Sequence, residues 1–230
     1  MRRLAVIPAR GGSKRLPRKN VLPFLGQPMF AHSVAAALAS GLFERVIVST
    51  EDEEIAGLVD ATGAILDARP AELATDRATL VEVCLDVLDR ERAAGRDYDV
   101  ICLCYATAPM RNAADIAATV ALIEPGVCDF AQAVTHFSHY PHQAMRTDAG
   151  GYLQPMWPEW ACKRSSDVPP LLAGNGSTYA AWVPAFREVR DFIGPRTRGY
   201  TMPFARSIDI DTREDYELAC AVASVQGKPA

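Results

Sequence analysis

The sequence predicts an α/β domain in which helices cover both faces of a mainly parallel sheet. Short, continuous apolar runs are typical of strands that are buried on both faces. These runs alternate along the chain with segments of helical periodicity, as they do in parallel sheets. The chain has 230 residues, of which 49% are hydrophobic and 23% charged, an ordinary globular composition. A chain of this length buries a substantial core, and we interpret residues 1–230 as a single domain.

The predicted elements follow one another with few gaps. A helix is expected between Pro28, a residue favoured at helix starts, and Gly41, which favours helix ends. Its Phe30, Val34 and Leu38 are spaced to share one buried face. The other predicted helices span 52–59, 79–91, 113–123 and 213–225. The predicted strands span 4–8, 45–50, 100–105, 129–134, 177–183, 200–204 and 207–211.

The alternation breaks at residues 136–172, which are rich in His, Pro, Trp and charge and have no clear periodicity. This stretch is too long for a simple connection between elements. We expect it to form a lid, a dimerisation arm or a substrate subdomain.

The charge distribution indicates one anionic small-molecule site. The net charge is 24 − 28 = −4, yet five cations and no acid lie between Arg10 and Asn20, which leaves 19 − 28 = −9 for the rest of the chain. A protein with that acidic remainder is not expected to bind nucleic acid.

No apolar run approaches the ~20 residues of a membrane span, and the opening residues do not form a secretory signal. Six cysteines without metal-ligand spacing favour reduced thiols in a cytoplasmic protein.

The basic loop after the first strand has the features of a phosphate-binding site. Gly11 and Gly12 allow the backbone to approach an anion closely. Arg10 offers a planar set of donors, whereas Lys14 and Lys19 act as point charges. The loop matches neither the Walker A pattern nor the dinucleotide fingerprint. A solvated basic turn is the alternative interpretation.

Two carboxylates near the C-terminus form a second candidate site. Asp209 and Asp211 would point to the same face of a strand and could converge on one hard cation such as Mg²⁺. Acids at this position could instead cap the helix that follows. Taken with the basic loop, the pair suggests a nucleoside triphosphate bound with Mg²⁺.

Four motifs occur in the order seen in the acylneuraminate cytidylyltransferases, and the sequence resembles that family from about residue 4 to residue 221. The motifs are the loop at 7–20, Arg69-Pro-Ala-Glu-Leu73, Asn175-Gly-Ser-Thr-Tyr179 and Ser207-Ile-Asp-Ile-Asp-Thr212. The resemblance implies a Rossmann-like nucleotidyltransferase fold. It also implies a reaction in which a sugar hydroxyl attacks the α-phosphorus of CTP and expels pyrophosphate.

The resemblance also implies roles for individual residues. The residues assigned to catalysis are Arg10, Lys14, Lys19 and Arg164. Those assigned to the nucleotide are Ala9, Gly11, Gly12, Ser13, Asn20, Arg69 and Thr79. Those assigned to the sugar are Tyr105, Thr107, Ser165 and Asn175. Asp209 and Asp211 match the metal-binding pair. Family members are typically homodimers in which an arm reaches the partner's sugar site, a role that residues 136–172 would fill.

The acceptor sugar stays open between pseudaminic, legionaminic and sialic acid. Tyr105-Ala-Thr-Ala-Pro109 and Arg164-Ser-Ser-Asp-Val-Pro169 look more like the pseudaminic acid enzymes. The segment at 175–179 is nearer the sialic acid enzymes. The alternatives in function are a CMP-Kdo synthetase, a transferase that uses an Asp-x-Asp site on a finished nucleotide sugar, and a non-catalytic nucleotide-sensing protein.

Overall fold

The computed structural model describes residues 1–226, without the side chain of Ser165. The strands are β1 (Arg3–Pro8), β2 (Pro23–Phe24), β3 (Gln27–Pro28), β4 (Arg45–Thr50), β5 (Ile65–Ala68), β6 (Val100–Cys104), β7 (Phe130–His136), β8 (Met145–Thr147), β9 (Leu153–Pro155), β10 (Leu172–Trp182) and β11 (Thr197–Thr201). The helices are α1 (Met29–Ala39), α2 (Glu53–Val59), α3 (Leu80–Ala93), α4 (Ala113–Val120), α5 (Pro158–Ala161), α6 (Val183–Val189) and α7 (Arg213–Val225).

Seven strands form one mixed sheet in the order β11-β7-β10-β6-β1-β4-β5. All neighbouring pairs are parallel except those of β10, which runs antiparallel to both β6 and β7. The expected α/β architecture with a mainly parallel sheet is therefore confirmed. The parallel strands β1 and β6 end at the same edge, and the basic loop and the segment after Cys104 both start there.

Three details of the predicted strands are wrong. Residues 207–211 form no strand. Their alternation of Ile and Asp arises because Ile208 and Ile210 pack into an apolar cluster, and not because the segment pairs with a neighbouring strand. The strand expected at 177–183 begins earlier, at Leu172, where the irregular stretch 136–172 ends. Strand β5 was not expected, because it alternates half-buried and exposed residues instead of presenting a continuous apolar run.

Helices cover both faces of the sheet. On one face, α1, α2 and α4 pack through residues such as Phe30, Ile55 and Ile116. On the other face, α3 and α6 pack through residues such as Cys84 and Phe186. The side chain of Leu38, expected on the buried face of α1, is 42% exposed.

A third apolar cluster lies outside the sheet and anchors α7. Its buried members are Leu16, Phe24, Met29, Met110, Ile208, Ile210, Ala219 and Ala223. It joins the basic loop, through Leu16, to the segment that carries the two aspartates, through Ile208 and Ile210. The cluster therefore holds the two candidate motifs of the sequence side by side.

Between β7 and β10 the chain forms a hairpin of β8 and β9, the short helix α5 and two single turns of 3-10 helix. Many of the large apolar side chains here are exposed, with Tyr152 at 75% and Leu153 at 67%. The division of the chain into one domain and an arm stays a prediction. No helix among residues 1–226 is long and apolar enough to cross a membrane.

An ion pair within the fold fixes the turn before the aspartate segment. The Asp115 side chain is fully buried, and both its oxygens accept hydrogen bonds from the Arg206 guanidinium at 2.8 Å. Asp115 also accepts the backbone N–H of Asn112 in the capping box of α4. One carboxylate therefore joins α4 to the turn that leads into residues 207–211.

We predict that Asp115→Ala lowers the free energy of unfolding by about 3 kcal/mol, because it leaves a partly buried guanidinium without its anion and removes a helix cap. Urea denaturation measures the change. The matched control is Asp97→Ala, whose side chain is 76% exposed and pairs with Arg92 at 3.7 Å. The control should change stability by less than about 0.5 kcal/mol. Equal losses in the two variants would contradict the role given to Asp115.

Candidate functional site

A cleft of about 480 Å³ opens at the carboxyl ends of β1 and β6. Its lining residues are Pro8, Arg10, Ser13, Lys14, Arg15, Leu16, Lys19, Asn20, Arg69, Leu80, Tyr105, Ala106, Thr107, Asp209 and Asp211. Ligands of open α/β sheets bind at this edge. The cleft brings together ten residues that the sequence assigned to catalysis, nucleotide, sugar or metal.

Asp211 joins the aspartate segment to the basic loop. Its Oδ1 lies 2.7 Å from Lys19 Nζ, and its Oδ2 lies 2.6 Å from Arg15 Nη2. Burial acts to raise the pKa of the Asp211 carboxyl, but the two cations outweigh it and hold that pKa below its usual range. The side chain is therefore ionised at neutral pH.

The other cations of the loop also have carboxylate partners. Asp76 contacts Arg10 Nη1 at 3.1 Å and Lys14 Nζ at 2.5 Å. Arg18 pairs with Asp52 and Glu54. Four carboxylates therefore face the five cations of the loop.

The side chain of Asp209 is half-buried in the wall of the cleft. It accepts a hydrogen bond from the Thr107 hydroxyl. Burial raises the pKa of the Asp209 carboxyl to about 6, against the effect of that hydrogen bond. A partly desolvated carboxylate beside an ionised one is a suitable arrangement for a divalent cation.

Gly176 is required by the position of Asp209. A Cβ on Gly176 would lie 2.4 Å from Asp209 Oδ2, and the residue has φ +61°, in the left-handed region. Both observations favour glycine. The glycine of Asn175-Gly-Ser177 therefore lets β10 pass directly against the Asp209 carboxylate.

Two polar side chains line the cleft from buried positions. Arg69 is 7% exposed, donates to the Ser49 carbonyl at 2.5 Å and lies 3.6 Å from Glu51. Burial lowers the pKa of its guanidinium. Asn20 donates its Nδ2 to the Arg10 carbonyl at 2.8 Å, while its buried Oδ1 has no hydrogen-bond partner among the described residues.

Tyr105 and Thr107 occupy the wall next to β6. The Tyr105 ring packs against Tyr179 with centroids 5.4 Å apart. Burial raises the pKa of the Tyr105 hydroxyl above its ordinary value, so it stays protonated. The backbone N–H of Ile210 donates to the Thr107 carbonyl at 2.8 Å, which fixes the aspartate segment against this wall.

Four residues assigned to the nucleotide do not line the cleft. Ala9 is fully buried and its N–H donates to the Ser49 carbonyl at 2.9 Å. The Gly11 N–H donates to Glu51 at 2.9 Å, and Gly12 is exposed. Thr79 caps α3 in a capping box with Glu82. Their assigned contacts stay predictions.

Three residues assigned to the sugar or to catalysis also lie outside the lining. Asn175 is buried and donates its Nδ2 to Ser207 at 3.0 Å, so that it ties β10 to the turn before the aspartates. Arg164 is exposed and lies beyond α5. The Ser165 side chain is outside the described residues. The roles given to all three stay predictions.

Sequence reasoning missed two charged residues of the site. The sequence pattern gives Arg15 no role beyond its charge, although it lines the cleft and pairs with Asp211. It gives Asp76 no role either, because a lone acid in a connecting segment matches no pattern. Among residues 1–226, no group of three or more His, Cys, Asp or Glu could hold a metal ion.

Comparison with known proteins decides the family. A family model described as "Cytidylyltransferase" matches residues 4–140. The chain belongs to the cytidylyltransferase family. It is 30% identical over 231 residues to the pseudaminic acid cytidylyltransferase of Campylobacter jejuni, and the alignment covers 100% of both chains.

Two further relatives are named for legionaminic acid and for N-acylneuraminate. The chain is 32% identical over 220 residues to the CMP-N,N'-diacetyllegionaminic acid synthase of Legionella pneumophila, covering 95% of this chain and 94% of the relative. It is 32% identical over 223 residues to the N-acylneuraminate cytidylyltransferase of Escherichia coli, covering 95% of this chain and 51% of that longer protein.

Solved structures support the fold of this cytidylyltransferase. A CMP:2-keto-3-deoxy-manno-octonic acid synthetase complexed with CTP superposes with TM-score 0.71 at 18% identity, covering 98% of this chain and 100% of that one. A 4-diphosphocytidyl-2C-methyl-D-erythritol synthase from Anaerococcus prevotii superposes with TM-score 0.66 at 10% identity, covering 97% and 98%. At these identities the likeness concerns the fold alone.

We predict that Gly176→Ala displaces Asp209 and reduces turnover by the cytidylyltransferase at least about 10-fold, because a 1 Å shift in a positioned group is costly. The left-handed φ adds about 1 kcal/mol of destabilisation. Steady-state kinetics and thermal unfolding measure the two effects. Gly57→Ala in α2 is the control, since its Cβ would meet nothing within 4 Å. Unchanged turnover in Gly176→Ala would show that the close contact has no role in the site.

Proposed function

We propose that this cytidylyltransferase joins CTP to a nine-carbon acidic sugar, releasing pyrophosphate and forming a CMP-sugar. The observation that carries the proposal is the meeting of the loop cations with Asp209 and Asp211 in one cleft. A finished nucleotide sugar has no triphosphate that would need so many cations. The names of the relatives support a pseudaminic, legionaminic or sialic acid as acceptor.

The cleft residues would act chiefly by positioning and by neutralising charge. When the sugar hydroxyl attacks the α-phosphorus, negative charge accumulates on the departing pyrophosphate. Arg10, Lys14 and Lys19 would hold its oxygens, and Ser13 lies in the same cleft to donate a hydrogen bond. Asn20 lines the same cleft and would contact the nucleotide.

The residues present fit a divalent cation, which we propose to be Mg²⁺. Asp209 and Asp211 supply carboxylate oxygens on one side of the cleft, and Mg²⁺ is commonly held by one or two carboxylates together with substrate phosphates. When bound, Mg²⁺ would neutralise phosphate charge and lower the pKa of a coordinated hydroxyl. Lys19 and Arg15 keep Asp211 ionised in the free protein, as a metal ligand must be.

We propose that the protein acts as a homodimer whose arm completes the sugar site of the partner. The stretch between β7 and β10 exposes apolar side chains including Tyr152, Leu153 and Met156. Arg164 lies on the same stretch, outside the cleft of its own chain. A second copy would both cover the apolar surface and provide a route for Arg164 to a bound sugar.

The proposed setting follows from the substrates. CTP is a cytoplasmic metabolite, and all six cysteines are free thiols, as expected in a reducing compartment. The CMP-sugar would serve as an activated donor for cell-surface polysaccharide synthesis.

The first test measures pyrophosphate release from CTP and Mg²⁺ with pseudaminic, legionaminic, N-acetylneuraminic and Kdo acceptors. Release with one of the nine-carbon sugars, abolished by a chelator, is the expected result. Release with Kdo alone would replace the proposed substrate class. Folded protein that binds CTP and releases no pyrophosphate with any acceptor would favour a nucleotide-sensing role.

We predict that Asp211→Asn reduces metal-dependent turnover about 100-fold or more, because it removes an ionised ligand. It should also lower the unfolding temperature, because it leaves the mostly buried Lys19 without its anion. Turnover across a Mg²⁺ titration and thermal unfolding provide the two readouts. Asp97→Asn removes one charge far from the cleft and should leave both unchanged. Full turnover by Asp211→Asn at limiting Mg²⁺ would remove Asp211 from the metal site.

A further inference from the structure

Two of the loop cations share a carboxylate that the proposed reaction does not use. Asp76 lies in the connection between β5 and α3, three residues before the cap of α3. One of its oxygens lies 3.1 Å from Arg10 Nη1 and the other 2.5 Å from Lys14 Nζ. Two anionic oxygens that face two cations reproduce what a phosphate group would present to the same pair.

Asp76 is held by these cations alone. Its side chain is 53% exposed and makes no other hydrogen bond or ion pair with residues 1–226. Asp211, by contrast, follows the buried Ile208 and Ile210, and its backbone N–H donates to Asp215. The Asp76 carboxylate can therefore leave by rotation of its side chain, whereas Asp211 is anchored.

The two carboxylates differ in their relation to a bound triphosphate. Asp211 could share a cation with the phosphates and so remain in place. Asp76 is paired with the two loop cations themselves. Phosphates that contact Arg10 and Lys14 must therefore occupy the positions that the Asp76 oxygens hold in the free protein. Because the phosphates and the Asp76 carboxylate are both negatively charged and repel each other, the carboxylate must move away when a triphosphate binds.

We propose that Asp76 is a positioning residue that occupies the phosphate subsite of the free enzyme as an internal counter-anion. It neutralises Arg10 and Lys14 in the free enzyme and competes with polyphosphates for them. The same competition would favour the departure of pyrophosphate after the reaction. The inference rests on the proposed function for the identity of the nucleotide, while the competition requires only that phosphates bind these two cations.

The test uses inorganic tripolyphosphate, titrated calorimetrically into the full chain with a chelator present to exclude metal ions. Asp76→Asn is expected to lower the Kd of tripolyphosphate about 3- to 10-fold, because two exposed ion pairs no longer have to be broken. Asp76→Glu keeps the charge and should bind tripolyphosphate with close to the wild-type Kd. The Kd of cytidine, which carries no phosphate, should not change.

A matched control separates this competition from a simple change in net charge. Glu72 is exposed, lies four residues before Asp76 in the same connection, and forms no ion pair with the described residues. Glu72→Gln removes the same charge without freeing Arg10 or Lys14, and the Kd of tripolyphosphate should stay within 2-fold of wild type, about the effect of one weak surface charge. Equal tightening in both variants would overturn the proposal, as would an unchanged or weaker Kd in Asp76→Asn.

Steady-state kinetics give a second readout that a merely structural role would not produce. Asp76→Asn should lower the KM for CTP, with kcat unchanged or reduced if pyrophosphate release becomes slower. A raised KM for CTP would overturn the proposal. If no acceptor supports turnover and Asp76→Asn still binds tripolyphosphate more tightly, the proposed function fails while the role of Asp76 stands.

Discussion

The ion pair between Lys19 and Asp211 joins two parts of the chain that are 192 residues apart. Lys19 is mostly buried, with 14% of its side chain exposed, so its charge must have a nearby anion. Asp211 meets this requirement and also accepts Arg15. The pair therefore places the basic loop beside the aspartates, and the cleft exists because both lie at the same edge of the sheet. The proposed chemistry requires the same proximity, since the triphosphate and its metal must be held together.

Packing behind the ion pair fixes the direction of the aspartates. Ile208 and Ile210 are buried against α7 and the basic loop, so the intervening Asp209 is directed into the cleft. The Thr107 carbonyl holds this segment through one backbone hydrogen bond, and Gly176 leaves the space that the Asp209 carboxylate needs. The site thus depends on a small apolar cluster and one glycine as much as on the charged groups themselves.

Patterns that are local in the sequence predicted their part of the structure. Continuous apolar runs predicted β1, β4 and β6, and the basic loop predicted one segment that lines the cleft. The alternation at 207–211 predicted a strand and still placed both aspartates on one side. Features that depend on long-range pairing were missed. The antiparallel direction of β10 and the bridge from Asp76 to Arg10 and Lys14 have no local signal, because each is decided by where distant segments meet.

The most direct measurement is a structure of the protein with a non-hydrolysable CTP analogue and Mg²⁺. We predict that the triphosphate lies in the cleft, with its oxygens on Arg10, Lys14 and Lys19 and the cation on Asp209 and Asp211. We also predict that the Lys14–Asp76 contact, 2.5 Å in the free protein, is broken. A nucleotide bound elsewhere, or a triphosphate in the cleft that leaves both Asp76 contacts intact, would contradict the proposed arrangement.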